Sequence, residues 1–316
     1  MALMTSADVL KINNAEEVIG LVDDVAREIP EIDFFQASPV TKNTFYSLAL
    51  DGLPTTAFRA PDALRTFQTA TLVNRQVTCK YLDASWTLPV AIASQSDWGA
   101  DFAKALEARA HLKSALVTLA KQIWHGVSAD ANGFVGLDAI LAANVDSNSV
   151  PIMDIEANTP ASGSTISDAE NVYAVRTGID SCQIAWGNDG RLDVGEVVEQ
   201  MLYVQTTSSG TTTTSGAWHY AQKIGAWAGL QVTSKWAAGR ITNLSATSGL
   251  NGLDDDLLYE LIELFPVGAK PDAIFLSRRS LAQLRKSRTA YNTIGAPAPL
   301  PTEFEGIPLI VSDAVA

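Results

Sequence analysis

Apolar residues recur at helical spacing in a few stretches of the chain and at alternating, strand-like spacing in most of the rest. Residues 15–30 place Val18, Leu21, Val22, Val25 and Ile29 on one face, with Glu16 and Glu17 in the first turn and Pro30 as a stop. That pattern predicts an amphipathic helix in an N-terminal arm, residues 1–40. Residues 41–96 are rich in Thr, Val and aromatics, with breaks at Gly52, Pro54, Pro61 and Pro89, which predicts short strands and turns. Val73, Arg75, Val77, Cys79 and Tyr81 share one face of this stretch, so it reads as a ribbon with a single good apolar side. Such a ribbon needs a partner surface to be stable.

The longest helical pattern covers 97–126. Ser96 or Asp97 can cap it, Gly126 ends it, and Phe102, Ala105, Leu112, Leu116, Leu119 and Ile123 form one stripe. A short turn and helix follow at 132–144, then a polar loop at 145–170. Strand patterns return at 171–190, with a turn at Asn188–Gly190, and again at 194–204 and 229–244. Between them, 207–216 is polar and of low complexity, which predicts an exposed or mobile loop. After a linker at 245–252 the pattern gives a helix with an acidic start and a stop at Pro266. A short apolar strand then leads into a basic helix ending near Arg288, and a Pro-rich loop leads into a closing strand at 304–315.

Composition narrows the class. At 316 residues the chain holds one large domain or two modest ones. A formal net charge of -13 argues against a freely binding nucleic-acid protein, whose affinity comes from neutralising phosphates. Contact with DNA would come by enclosure. Two cysteines, Cys79 and Cys182, are too few for a disulfide framework and fit a reducing compartment. Residues 1–14 carry no signal-peptide pattern, and no apolar run reaches the length of a membrane span.

The usual chemical motifs fail on their own terms. Gly190 and Glu196, with Asp189, match part of a calcium loop, but Ala185 and Gly187 stand where oxygen ligands are needed. The three histidines, His111, His125 and His219, form no zinc pattern, and His125 suits a helix C-terminus. No nucleophile elbow, phosphate loop or dinucleotide fingerprint is present. The expectation is a non-enzyme with no catalytic, cofactor or metal residues. The remaining clusters are charges. Asp254, Asp255 and Asp256 start a helix, where unpaired N–H groups favour carboxylates. Arg278, Arg279, Arg285, Lys286 and Arg288 crowd one helix of an acidic chain. A solvated face is one reading. The other is a docking surface for an acidic patch on a neighbouring copy, which makes Asp254–Asp256 and these arginines candidate inter-subunit contacts.

The order of these elements resembles the major capsid proteins of tailed bacteriophages, with the Hong Kong 97-like fold. The resemblance covers nearly the whole chain and rests on order more than on any one motif. It joins an amphipathic arm, a β-rich extended loop, a long spine helix, the FVGL of 134–137, the YAVRTG from Tyr173 with 227–244, and the KPDAIFLSRRSLAQLRKSR and FEGIPLIVSDAV stretches of the closing third. It implies an α+β fold divided as arm 1–40, extended loop 41–96, spine helix 97–128, axial-domain start and loop 129–170, peripheral strands 171–245 and axial-domain helices and strands 246–316. In the archetype the G-x-P strand lies mid-chain. Here it closes the chain, which implies rearranged connectivity. No long scaffolding segment precedes the arm, so the resemblance implies a separate scaffolding protein. It further implies hexamers and pentamers of the chain in an icosahedral head assembled in the bacterial cytoplasm, a portal, room for a decoration protein, enclosed DNA and no membrane. An encapsulin-like compartment of the same fold is the alternative, and an uncharacterised enzyme the third reading.

Overall fold

The computed structural model of the chain describes residues 29–61, 64, 67–142, 154–156, 170–208, 211–245, 252–290 and 297–315. The arm helix expected at 15–30 lies outside them apart from its last two residues. Most of the linker expected at 245–252 and most of the loop at 145–170 lie outside them as well.

In chain order, Pro30 opens the short helix α1 (Pro30–Phe34), followed by β1 (Ala37–Pro39). Next come β2 (Thr44–Gly52) and β3 (Thr71–Thr78), β4 (Lys80–Asp83), β5 (Trp86–Pro89) and the single turn α2 (Val90–Ala93). The long helix α3 (Ala100–His125) begins a few residues later than its pattern suggested. Then follow α4 (Leu137–Ala142), β6 (Asp154–Glu156), β7 (Glu170–Val175), β8 (Cys182–Trp186) and β9 (Asp193–Val194). The long hairpin β10 (Val198–Ser208) and β11 (Thr211–Gln222) leads to β12 (Ile224–Val232) and β13 (Ala238–Leu244). The closing third is α5 (Asp255–Glu263), β14 (Ala273–Leu276), α6 (Arg278–Ala290), β15 (Glu303–Phe304) and β16 (Ile307–Val311).

Contacts divide the described chain into two units, one from 81–119 and 191–227, the other from 28–80, 120–190 and 228–316. The second unit is built on a six-stranded sheet of order β15-β16-β14-β7-β13-β6. β14 runs parallel to β16 and antiparallel to β7, which is antiparallel to β13. All four side chains of β14 are buried, as expected of a central strand covered on both faces. One face carries Val172, Ala174, Ile241, Ile274 and Leu276 and packs on Leu258 and Leu261 of α5 and Leu284 of α6. The other face presents Tyr173 and Phe275 to Trp124 near the end of α3, with ring centroids 4.8 and 4.9 Å away. Phe34 and Phe35 of the α1 turn close this aromatic cluster against Phe275. Gly126 ends α3 with φ +55, and a Cβ there would overlap the backbone of Gly136, so the chain can turn this tightly only with glycine.

The first unit has a smaller core. Trp86, Leu88, Ala93, Ala103 and Ile224 are buried together, with Ala100, Ala108 and Ala115 of α3 against them. Its sheet has the order β10-β11-β5.

Four expectations are corrected. The stripe on α3 buries Leu119 and Ile123, but Phe102, Leu112 and Leu116 are exposed. In the first unit the packed face of α3 is its alanine face, because small side chains let helix and sheet approach closely. Of the stretch 207–216, the described residues 207–208 and 211–216 are not loop but the distal part of the β10–β11 hairpin, with Thr206 opposite Thr213 and Ser208 opposite Thr211. Thr is β-branched and suits a strand even where the sequence is polar. Inside the loop expected at 145–170, β6 pairs in parallel with β13. Finally, β7 and β13, expected among strands apart from the closing third, share its sheet through β14.

Candidate functional site

The acidic and basic clusters of the closing third sit on adjacent helices. Asp254 is the N-cap of α5, and its carboxylate accepts the Leu257 N–H at 3.0 Å, as its position at a helix start led one to expect. Asp255, one residue on, takes a two-pronged hydrogen bond from the Arg288 guanidinium of α6 at 2.7–3.0 Å. That pairing raises the Arg288 pKa further. Asp255 and Arg288, candidates for contact between copies, are paired within one chain, where α5 and α6 pack on the same sheet. Asp256 is exposed.

The other arginines divide between internal and open roles. Arg278 donates to Asp313 at 2.7 Å. Arg279 lies 3.3 Å from Glu170, whose other oxygen accepts hydrogen bonds from Ser277 and Ser280. Arg285 donates to the Ala298 carbonyl at 2.8 Å. Arg278, Arg285 and Lys286 border an open groove of about 630 Å³ along α6.

Sequence reading missed two buried polar clusters. In the first, Asp138 Oδ1 accepts from the Tyr173 hydroxyl at 2.6 Å, from Arg240 at 2.7 Å and from Asn171 at 3.1 Å. The His125 ring meets Asp138 Oδ2 at 2.8 Å and the Ala314 carbonyl at 3.1 Å. Burial alone would raise the Asp138 pKa, but the hydrogen bonds from His125, Tyr173 and Arg240, with the Arg240 charge, hold it below the ordinary carboxylate value. Burial and the neighbouring Asp138 charge push the Tyr173 hydroxyl well above its usual value. In the second cluster, Glu31 of α1 is fully buried, and its Oε1 accepts from the Trp124 indole at 2.9 Å and from the Ser312 hydroxyl. Both clusters tie distant segments of the second unit to the sheet. The separations, such as 281 residues between Glu31 and Ser312, leave no local sequence signal.

The β2–β3 ribbon is anchored on one face and open on the other. Its Ser47 and Arg75 bond Gln231 and the Thr233 carbonyl, Asp51 pairs with Lys235, and Val77 and Cys79 sit against Gly229. This is the face expected to need a partner. The opposite face shows Tyr46, Leu48, Leu50 and Leu72 to solvent, each more than half exposed, and Leu53, Phe58 and Phe67 are exposed beyond it. In the first unit, Met201, Tyr203 and Trp218 are exposed on one face of the β10–β11 hairpin. Exposed apolar area on this scale marks association surfaces. Both thiols are buried, and burial pushes Cys182 up to about 12. Among the described residues, no three His, Cys, Asp or Glu side chains cluster as a metal site, and no helix is long and apolar enough to cross a membrane.

No family model and no curated protein sequence matches the chain. Solved structures do. The chain is similar to a chain of bacteriophage Epsilon15 seen by cryo-EM, 15% identical, with 99% of this chain and 95% of that chain covered at a TM-score of 0.71. It is similar at 10% identity to the capsid of bacteriophage JBD30, with 100% of both chains covered and a TM-score of 0.51. The JBD30 capsid decorated with minor capsid protein trimers gives 10% identity, 100% coverage of both chains and a TM-score of 0.50. At these identities the likeness is one of fold. The chain has the α+β, Hong Kong 97-like fold of phage capsids, as the order of its elements led one to expect.

Proposed function

We propose that the chain is a shell subunit, the major capsid protein of a tailed phage, which assembles with copies of itself into a closed icosahedral head around double-stranded DNA. The observation that carries the reading is the match of fold over nearly the full length of this chain and of the Epsilon15 chain. The distribution of apolar surface supports it. One sheet is covered on both faces, while the ribbon β2–β3, the hairpin β10–β11 and the Leu112–Leu116 face of α3 expose apolar side chains that a neighbour would bury. The acidic balance suits a wall that contains DNA rather than a groove that grips it. A separate scaffolding protein, a portal and a decoration protein are the partners of this reading, and the virion is its location.

Negative-stain electron microscopy of the protein expressed alone, and then with its genomic neighbours, tests the proposal. Closed shells, or rings of five and six, are expected. A discrete monomer or dimer under both conditions would overturn it. Shells that enclose a protein cargo in place of DNA would assign the chain to an encapsulin-like compartment instead.

A further inference from the structure

The groove on α6 has an apolar floor and cationic walls. Leu281, Ala282 and the exposed Leu300 form the floor, and Arg278, Arg285 and Lys286 carry the charge. Asp313 engages Arg278. Neither Arg285 nor Lys286 has an acidic partner among the described residues, although the chain carries 35 acidic side chains against 22 basic ones. An open basic groove on so acidic a molecule has a shortage of cations around it and a surplus of carboxylates to receive.

A complementary surface lies on the preceding helix. On α5, Asp256, Tyr259, Glu260 and Glu263 fall three, four and seven residues along one face, and all four are exposed. Leu258 and Leu261 on the opposite face are buried in the sheet. Asp254 and Asp255 are not part of this stripe, since they cap the helix and hold Arg288. The Tyr259 ring packs edge-on against Phe304 of its own chain and stays about half exposed. Among the described residues no hydrogen bond or ion pair joins the stripe to the groove, so a chain does not fill its own groove with its own stripe.

Resting on the shell-subunit reading, we propose that the acidic stripe of α5 on one copy docks in the basic groove of α6 on the next. The dimensions agree. The stripe spans about 10 Å and the groove, from Arg278 to Ala290, about 18 Å at ~1.5 Å per helical residue. Carboxylates meet Arg285 and Lys286, and the part of the Tyr259 ring that Phe304 leaves exposed meets the apolar floor. A nucleic-acid backbone would satisfy the cations and leave that floor uncovered, so an amphipathic acidic helix is the better fit. Because the two patches differ, the contact is head-to-tail. Such a contact closes into a ring when the rotation between copies allows.

A charge swap tests this, read as the assembled fraction in sedimentation velocity at fixed protein and salt concentration. Arg285→Glu with Lys286→Glu is expected to lower that fraction at least about tenfold, since like charges then face each other. Adding Glu260→Lys and Glu263→Lys to the same chain is expected to restore it, which also shows that the reversed protein folds. Unchanged assembly of the Arg285→Glu, Lys286→Glu protein would overturn the contact while leaving the shell reading in place. Restoration by reversing Glu16, Glu17, Asp23 and Asp24, and not by reversing α5, would overturn it in favour of the arm as occupant. Loss of DNA retention with assembly intact would overturn it in favour of nucleic acid. Wild-type protein that never assembles, alone or with its genomic neighbours, would overturn both readings together.

Discussion

β14 buries all of its four side chains, whereas β2, in the same unit, fully buries none of its nine. The first strand is covered by α5 and α6 on one face and by the Trp124–Phe275 cluster on the other. The second is held on one face by hydrogen bonds to 231–235 and shows a row of Tyr and Leu on the other. The sheet region carries its own folding free energy. The ribbon has its shape fixed by anchors and leaves its apolar area unburied. One region is packed within the chain, and the other leaves apolar side chains open.

The largest break in this contrast comes from Trp124→Ala. It removes the ring packed on Tyr173 and Phe275 and takes the indole donor from the buried Glu31 carboxylate. A loss of about 3–5 kcal/mol is expected, as for other buried aromatics, read as a shifted denaturant midpoint. Asp138→Ala comes next. It strands Arg240 and the Tyr173 hydroxyl, and because the carboxylate is partly solvated the expected loss is about 2–3 kcal/mol. The same group sets an acid limit. Its pKa is lower folded than unfolded, so its contribution is fully present above the ordinary value of 3.8 and lost as pH falls through the depressed folded value. Wild type is expected to lose stability in acid more steeply than Asp138→Ala, and equal slopes would assign acid sensitivity elsewhere. The smallest effect on the subunit sharpens the contrast most. Leu48→Ser with Leu50→Ser is expected to move unfolding by less than about 0.5 kcal/mol, as exposed sites do, yet to abolish assembly seen by electron microscopy.

Much of the sheet region was legible because its signals are local. The acidic cap before α5, the apolar run AIFL of β14, the basic α6 and the glycine ending α3 each follow from a few adjacent residues. What joins them was not legible. Nothing near Glu31 in sequence indicates Trp124 or Ser312, and nothing near Asp138 indicates Arg240. The α3 stripe misled for another reason. Its periodicity is real, but periodicity says that a face is apolar and not which molecule covers it, so Phe102, Leu112 and Leu116 stand exposed in the single chain. Polar Thr runs hid the outer part of β10–β11, because β-branched Thr suits a strand without adding to an apolar pattern. Among the candidate contacts, the charges were visible and their pairing was not. Arg288 and Asp255 meet because two helices pack on one sheet, a fact of tertiary structure.

The link between Glu31 and Ser312 also sets a clock on synthesis. A ribosome delivers Glu31 long before Ser312, a gap of 281 residues, which at roughly 5–20 residues per second lasts about 15–55 s. Throughout that interval the α1 turn lacks the hydroxyl that helps seat it, and β14 (Ala273–Leu276) and its parallel neighbour β16 (Ile307–Val311) arrive only near its end. A nascent chain is therefore held short of its final form until translation has passed both.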